Sequence, residues 1–277
     1  MNVQTRPQDQ TDAATAPVLT QERDGEIAIV TLNRPRARNS LSEDLLKALA
    51  AAWTQLAADK TVRAVVLAAN GPGFCAGHDL KELTARRSDA DGGREYFRHI
   101  MTTCSGMMQQ IVTLPKPVIA CVQGVATAAG CQLVASCDLA VASSAARFAT
   151  PGVDIGLFCS TPMVALSRNV PRKVAMEMLL TGEMLPAERA MQMGLVNRVV
   201  APGEERDAAL ALARTVASKS SYTLKVGKEA FYRQLEMGLA DAYAYASEVM
   251  TENMMARDAE EGICAFIEKR TPTWEDR

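Results

Sequence analysis

The chain has 277 residues, and its 30 basic and 32 acidic side chains leave a net charge of −2; that length supports a substantial core, and the charge balance argues against a nucleic-acid partner. Seven cysteines, odd in number and without a C-x-x-C pair, argue against a disulfide framework or a zinc site and for reduced, mostly buried thiols in a cytoplasmic protein. No apolar run approaches the roughly 20 residues that cross a bilayer, so no membrane span is expected.

Residues 1–17, rich in Thr, Gln, Asp and Ala, lack the apolar stretch of a signal peptide and are too acidic and Arg-poor for a transit peptide, so a disordered tail is expected. Ile27–Leu32 reads as a buried strand. Ser42 is a good N-cap, with Glu43 and Asp44 in the first turn and Leu45, Leu46, Leu49, Trp53 and Leu56 at helical spacing. A strand over 64–68 completes a β-α-β unit. Asn70-Gly71-Pro72-Gly73 forms a turn, and a helix begins near Asp79. Residues 85–95 are polar and glycine-bearing and read as a mobile loop. A helix over 96–114 stops at Pro115 and Pro117, and Val118–Val122 and 138–142 read as further strands. From residue 160 the pattern is nearly all helical, with Pro171 and Pro186 at helix starts and Gly182 and Gly194 at helix ends. Strands alternating with helices, then helices alone, predict an α/β core over 18–204 and a helical C-terminal region over 205–277. That region is rich in apolar residues for its size, including Leu210, Tyr243, Val249 and Met254, which fits packing against other subunits.

Two strand-to-helix joints stand out. In the first, the strand over 64–68 leads through the turn into Gly73-Phe74-Cys75-Ala76-Gly77-His78-Asp79-Leu80. In the second, Val118–Val122 leads into Gln123-Gly124-Val125-Ala126-Thr127-Ala128-Ala129-Gly130-Cys131-Gln132. Each leaves free backbone N–H groups at the positive end of a helix dipole, among residues small enough for a ligand to approach the main chain. Two such joints facing one point make a two-donor oxyanion hole.

Both segments resemble the oxyanion-hole motifs of the crotonase superfamily, the enoyl-CoA hydratases and isomerases. Thr31-Leu32-Asn33-Arg34-Pro35 with Asn39-Ser40-Leu41-Ser42 is similar to that family's opening strand and loop, and Phe266-Ile267-Glu268-Lys269-Arg270 to its C-terminal signature. The likeness runs from about residue 20 to the end. It implies a spiral of ββα turns with C-terminal helices that build homotrimers, often paired as homohexamers. It implies an acyl-CoA thioester as substrate, with no cofactor beyond the coenzyme A that the substrate carries, and no metal. The thioester oxygen would sit between the backbone N–H groups of His78 and Ala129. Arg36 and Ala37 would lie near the CoA phosphates, and Ala76, Gly77, Asp79 and Leu80 along the groove. Gly130 and Gly152 would also contact the substrate, and Lys269 would reach a ligand from the C-terminal signature.

The acid–base groups depart from the family. A hydratase of this type uses two glutamates, and the matching positions here are Gln132 and Gly152. Neither carries a titratable group, so the general acid–base machinery for adding water is missing at both. Asp154, two residues further on, is a candidate carboxylate, and Gln132 a candidate to orient water or substrate. The expectation is a hydratase/isomerase-family enzyme, lyase or isomerase, that stabilises a thioester enolate with doubtful hydration. The alternative is a non-catalytic acyl-CoA-binding or regulatory protein.

Overall fold

The computed structural model describes residues 16–277, so the tail expected over 1–17 falls almost wholly outside the described residues. β1 (Leu19–Asp24) and β2 (Ile27–Leu32) form an antiparallel hairpin, and α1 (Glu43–Ala58) returns the chain to β3 (Ala64–Ala69), parallel to β2. Next come β4 (Gly73–Cys75), α2 (Leu80–Ala85) and α3 (Arg94–Thr113). They are followed by β5 (Val118–Val122), β6 (Val125–Thr127) and α4 (Ala129–Ser136), then β7 (Leu139–Ser143), β8 (Arg147–Ala149) and α5 (Pro162–Asn169). The chain continues through α6 (Arg172–Thr181), β9 (Leu185–Pro186), α7 (Ala187–Gln192) and β10 (Arg198–Val200). It closes with α8 (Glu205–Ala217), α9 (Ser221–Gln234), α10 (Leu239–Met254) and α11 (Arg257–Glu268).

Three times a long strand is followed by a short strand and a helix: β3–β4–α2, β5–β6–α4 and β7–β8–α5. The long strands belong to a six-stranded sheet ordered β1-β2-β3-β5-β7-β10, the short ones to a four-stranded sheet ordered β4-β6-β8-β9. This is the ββα spiral that the resemblance implied. The long strands read as continuous apolar runs because both faces of their sheet are covered. Ala28, Val30, Leu32, Val65 and Leu67 face the cluster that includes α1 and the second sheet. Ile27, Ile29, Ala64, Val66 and Ala68 face Ala209, Leu210, Leu212 and Ala213 of α8. The expected N-cap is in place, Ser42 Oγ accepting from the Leu45 N–H at 3.3 Å.

The strands missing from the sequence reading are β1 and the short β4, β6, β8, β9 and β10. β1 is a polar edge strand, and the others, two or three residues long, offer no period to detect. Hence the stretch after residue 160 is less purely helical than expected: β10 extends the large sheet beside β7, and β9 pairs with β8. Residues 85–95 form a built turn. The Asp91 carboxylate accepts from the Gly93 and Glu95 N–H groups at 2.9 and 2.7 Å, and Arg86 stacks 4.7 Å over the Tyr96 ring.

Beyond α8 the packing thins. One deep anchor holds α9: Lys228 Nζ lies 2.6 Å from Asp138 Oδ2 and donates to the Ile111 and Lys116 carbonyls. The Tyr232 hydroxyl donates to Asp138 Oδ1 at 2.9 Å and the Val118 N–H to Oδ2 at 2.7 Å. Burial pushes the Asp138 carboxyl up and the Lys228 ammonium down, and each charge offsets the other's penalty. A cavity of about 530 Å³ opens beside this pair. No residue of α9 or α10 is fully buried. The C-terminal residues fold back as a strap, with Trp274 Nε1 donating to the Ser218 carbonyl and Asp276 paired with Arg63. No helix among the described residues is long and apolar enough to cross a membrane.

Candidate active site

The first joint is held by a frame of polar side chains. Asn39 Nδ2 donates to the Asn70 and Gly73 carbonyls at 2.8 and 2.9 Å. Gln123 Nε2 reaches the carbonyls of Ala69, Gly71 and Gly73. Asp79 caps α2, its Oδ1 accepting from the Lys81 N–H, while Oδ2 takes Arg34 Nη2 at 3.0 Å and Ser40 Oγ at 3.1 Å. Burial alone would raise the Asp79 carboxyl, but these donors outweigh it and hold the group below the ordinary carboxylate range. Expected along the groove, the Asp79 side chain thus has both oxygens engaged in fixing the joint. Leu41 bridges His78 in parallel, its N–H donating to the Gly77 carbonyl at 2.7 Å and its carbonyl accepting from the Asp79 N–H at 3.1 Å. In such a ladder the bridged residue's own N–H points away from the partner strand. The His78 N–H is therefore turned outward.

The second joint abuts the first. Gly77 has φ +88°, and a Cβ there would lie 2.9 Å from the Ala128 Cβ and 3.4 Å from the Ala129 nitrogen. At Gly130 a Cβ would stand 2.0 Å from the Cys75 carbonyl oxygen. Only glycine lets α4 begin this close to the end of β4. Ala129 opens α4, so its N–H is one of the first-turn donors without an intrahelical acceptor. Ala128, at φ 50° and ψ −118°, holds a conformation that glycine favours, a strain of about 1–3 kcal/mol. Its N–H donates to the Ala149 carbonyl at 2.9 Å, and its carbonyl accepts from the Gln132 N–H at 3.0 Å. The Ala129 nitrogen thus lies against Gly77, the residue that precedes His78.

Gln132 is buried at 5% exposure, and its Oε1 has no hydrogen-bond partner among the described residues. Thr150, fully buried, has an equally unpartnered Oγ1. Gly152 is buried, and the space its side chain would take is filled: a Cβ would lie 2.6 Å from the Leu157 carbonyl oxygen and 2.9 Å from Cys159 Sγ. No carboxylate fits at 152 without moving the backbone. Asp154 is exposed, and its oxygens would lie 3.1–3.2 Å from a Cβ on Gly182 at the end of α6. Both ring nitrogens of His78 are buried and unpartnered, and burial pulls the imidazole down, which favours the neutral form. The Cys159 thiol is pushed up by burial, which makes it a poor nucleophile.

The remaining expected residues are scattered. Arg36 and Ala37 lie in a single 3-10 turn, Pro35–Ala37, with Arg36 exposed. Ala76 and Leu80 are exposed beside the first joint. Lys269 caps the end of α11 and is exposed, and among the described residues no hydrogen bond or ion pair ties its side chain to either joint. The sequence reading passed over Arg34, Asn39, Gln123 and Thr150 as parts of this site. Polar side chains flanking apolar runs were the available signal. No group of three His, Cys, Asp or Glu among the described residues is placed to hold a metal ion.

Residues 22–277 match the family described as enoyl-CoA hydratase/isomerase. The chain belongs to that family. An enoyl-CoA hydratase of Mycobacterium smegmatis is 53% identical, with a TM-score of 0.89 over 94% of this chain and 99% of that one. The human enoyl-CoA hydratase domain-containing protein 3 is 46% identical in its crystal structure, with a TM-score of 0.88 over 93% and 100% of the two chains. The rat protein of that name, described as mitochondrial, is 48% identical over 92% of this chain and 83% of its own length. The human and mouse proteins are likewise named mitochondrial. These relatives overturn the expected cytoplasmic location. Buried reduced thiols suit any reducing compartment, and the composition of residues 1–17 was too weak a guide.

Proposed function

We propose that the chain binds an acyl-CoA thioester with its carbonyl oxygen between the N–H groups of His78 and Ala129. As an enolate forms, charge builds on that oxygen, and each preorganised donor contributes about 3 kcal/mol to the transition state. The observation that carries this reading is the contact between the joints, where Ala129 N lies 3.4 Å from the position of a Cβ on Gly77. Arg36, exposed and unpaired among the described residues, suits the CoA phosphates. Two-carboxylate hydration is weak or absent, because Gln132 holds no titratable proton and the space at 152 is closed. The test is the loss of conjugated-thioester absorbance with a short trans-2-enoyl-CoA, run beside calorimetric titration with its saturated analogue. Binding with little or no absorbance loss is expected; rapid hydration overturns the reading of Gln132 and Gly152. Absence of binding overturns the thioester site itself.

A non-catalytic acyl-CoA-binding role is the second reading, and the exposed placement of Asp154 against Gly182 favours it, since the carboxylate left at the joints, Asp79, has both oxygens engaged by Lys81, Arg34 and Ser40. Product analysis with a panel of acyl-CoA thioesters separates the two. The active form is a homotrimer or homohexamer joined through the C-terminal helices. Exposed Phe231, Leu239, Tyr243, Phe266 and Ile267 support this assembly. Light scattering on the purified protein checks it, and a monomer at micromolar concentration overturns it.

A further inference from the structure

Eight buried side-chain polar atoms lack a hydrogen-bond partner among the described residues, and four of them belong to three residues whose backbones converge on Ala128: His78 Nδ1 and Nε2, Gln132 Oε1 and Thr150 Oγ1. Ala128 ties the three residues together. Gly77, immediately before His78, approaches the Ala128 Cβ; Ala149, immediately before Thr150, accepts the Ala128 N–H; and the Gln132 N–H donates to the Ala128 carbonyl. Each side chain is therefore rooted within one residue or one helical turn of the backbone that presents the Ala129 N–H. Leaving a buried polar group unpaired costs about 1–3 kcal/mol, so four such atoms on backbones that converge on one residue favour an occupant that pairs them, either water or the polar group of a ligand that displaces it.

The chemistry of the corner narrows the ligand. The buried imidazole is neutral, with one nitrogen donating and the other accepting. Gln132 Oε1 accepts, and the Thr150 hydroxyl does both. The guanidinium of Arg34 at the first joint is already held by Asp79, so it is not free to compensate a buried carboxylate. A plain hydrocarbon chain would leave all four atoms unpaired.

We propose that His78, Gln132 and Thr150 form the acyl-recognising end of the site and select an acyl group that carries an uncharged oxygen substituent, hydroxyl or carbonyl, over an unsubstituted alkyl chain. This rests on the acyl-CoA reading above. His78 thereby has two duties, its backbone N–H at the thioester oxygen and its ring at the acyl group.

The test is calorimetric titration of the full chain with butyryl-CoA and with 2-, 3- and 4-hydroxybutyryl-CoA. It is repeated for His78→Phe, Gln132→Met and Thr150→Val, with circular dichroism to verify folding. At least one hydroxylated thioester is expected to bind the wild type about 10-fold or more tightly than butyryl-CoA, because a site built to hydrogen-bond an oxygen discriminates against its absence. In each folded variant the ratio of the two affinities should fall toward one. If His78→Phe does not fold, the two near-isosteric variants carry the test. Equal affinities in the wild type, or a preference that survives in every folded variant, overturns the inference while leaving the thioester site standing. Binding of no thioester at all overturns the acyl-CoA reading and this inference with it.

Discussion

The corner around Ala128 and the helices α9–α11 are built on opposite terms. At the corner a single methyl group added at Gly130 would strike the Cys75 carbonyl at 2.0 Å. On α11, Phe266 is 85% and Ile267 72% exposed. The fit at the corner is a matter of backbone against backbone. The helices are held by Lys228 and the C-terminal strap and leave an apolar surface exposed. The contrast teaches that seating α4 against β4 requires close packing of backbone on backbone, whereas α9–α11 are tethered at a few polar contacts and keep apolar surface uncovered.

Four substitutions sharpen that contrast, and the largest effect is expected at the tether. Lys228→Met leaves the Asp138 carboxylate buried without its cation, and urea unfolding should show a loss of about 3–5 kcal/mol; a loss under about 1 kcal/mol would mean that α9 is held by other contacts. Gly130→Ala forces α4 and β4 apart, so a loss of about 2–3 kcal/mol is expected, together with weaker thioester binding in calorimetry. An unchanged affinity would break the link between this close approach and the proposed thioester site.

Acid sensitivity gives a smaller, signed effect. Asp79 is held below its unfolded value of about 4. Its contribution is therefore fully present above that value and is lost as pH falls through the lower folded value. Between pH 7 and pH 2.5 (approximate limits set by that ordinary carboxylate value), the wild type should lose more stability than Asp79→Asn; equal losses would show that the Arg34 and Ser40 contacts do not matter to folding. The smallest change runs the other way. Ala128→Gly relieves the strain at φ 50°, and thermal unfolding should show a gain of up to about 1 kcal/mol. A loss would mean that the Ala128 methyl packs well enough against Gly77 to offset the strain.

The sequence by itself determined the long elements and the existence of both joints. β2, β3 and β5 are apolar runs between turn residues, α1 has its cap and its apolar stripe, and glycines mark the strand-to-helix turns. These are signals carried within a few residues. It also determined what is missing, since Gln132 and Gly152 have no titratable side chain wherever they lie. Tertiary structure alone decided the rest. Strands of two or three residues acquire their identity only from their partners, so the second sheet was invisible. The closure of the space at Gly152 comes from Leu157 and Cys159, and the engagement of Asp79 from Arg34 and Ser40. The four unpartnered atoms of His78, Gln132 and Thr150 lie on segments separated by 54 and 18 positions. Nothing local in the chain records that folding brings these segments together around Ala128, because that proximity is set by β6 pairing with β8 and by α4 seating against β4.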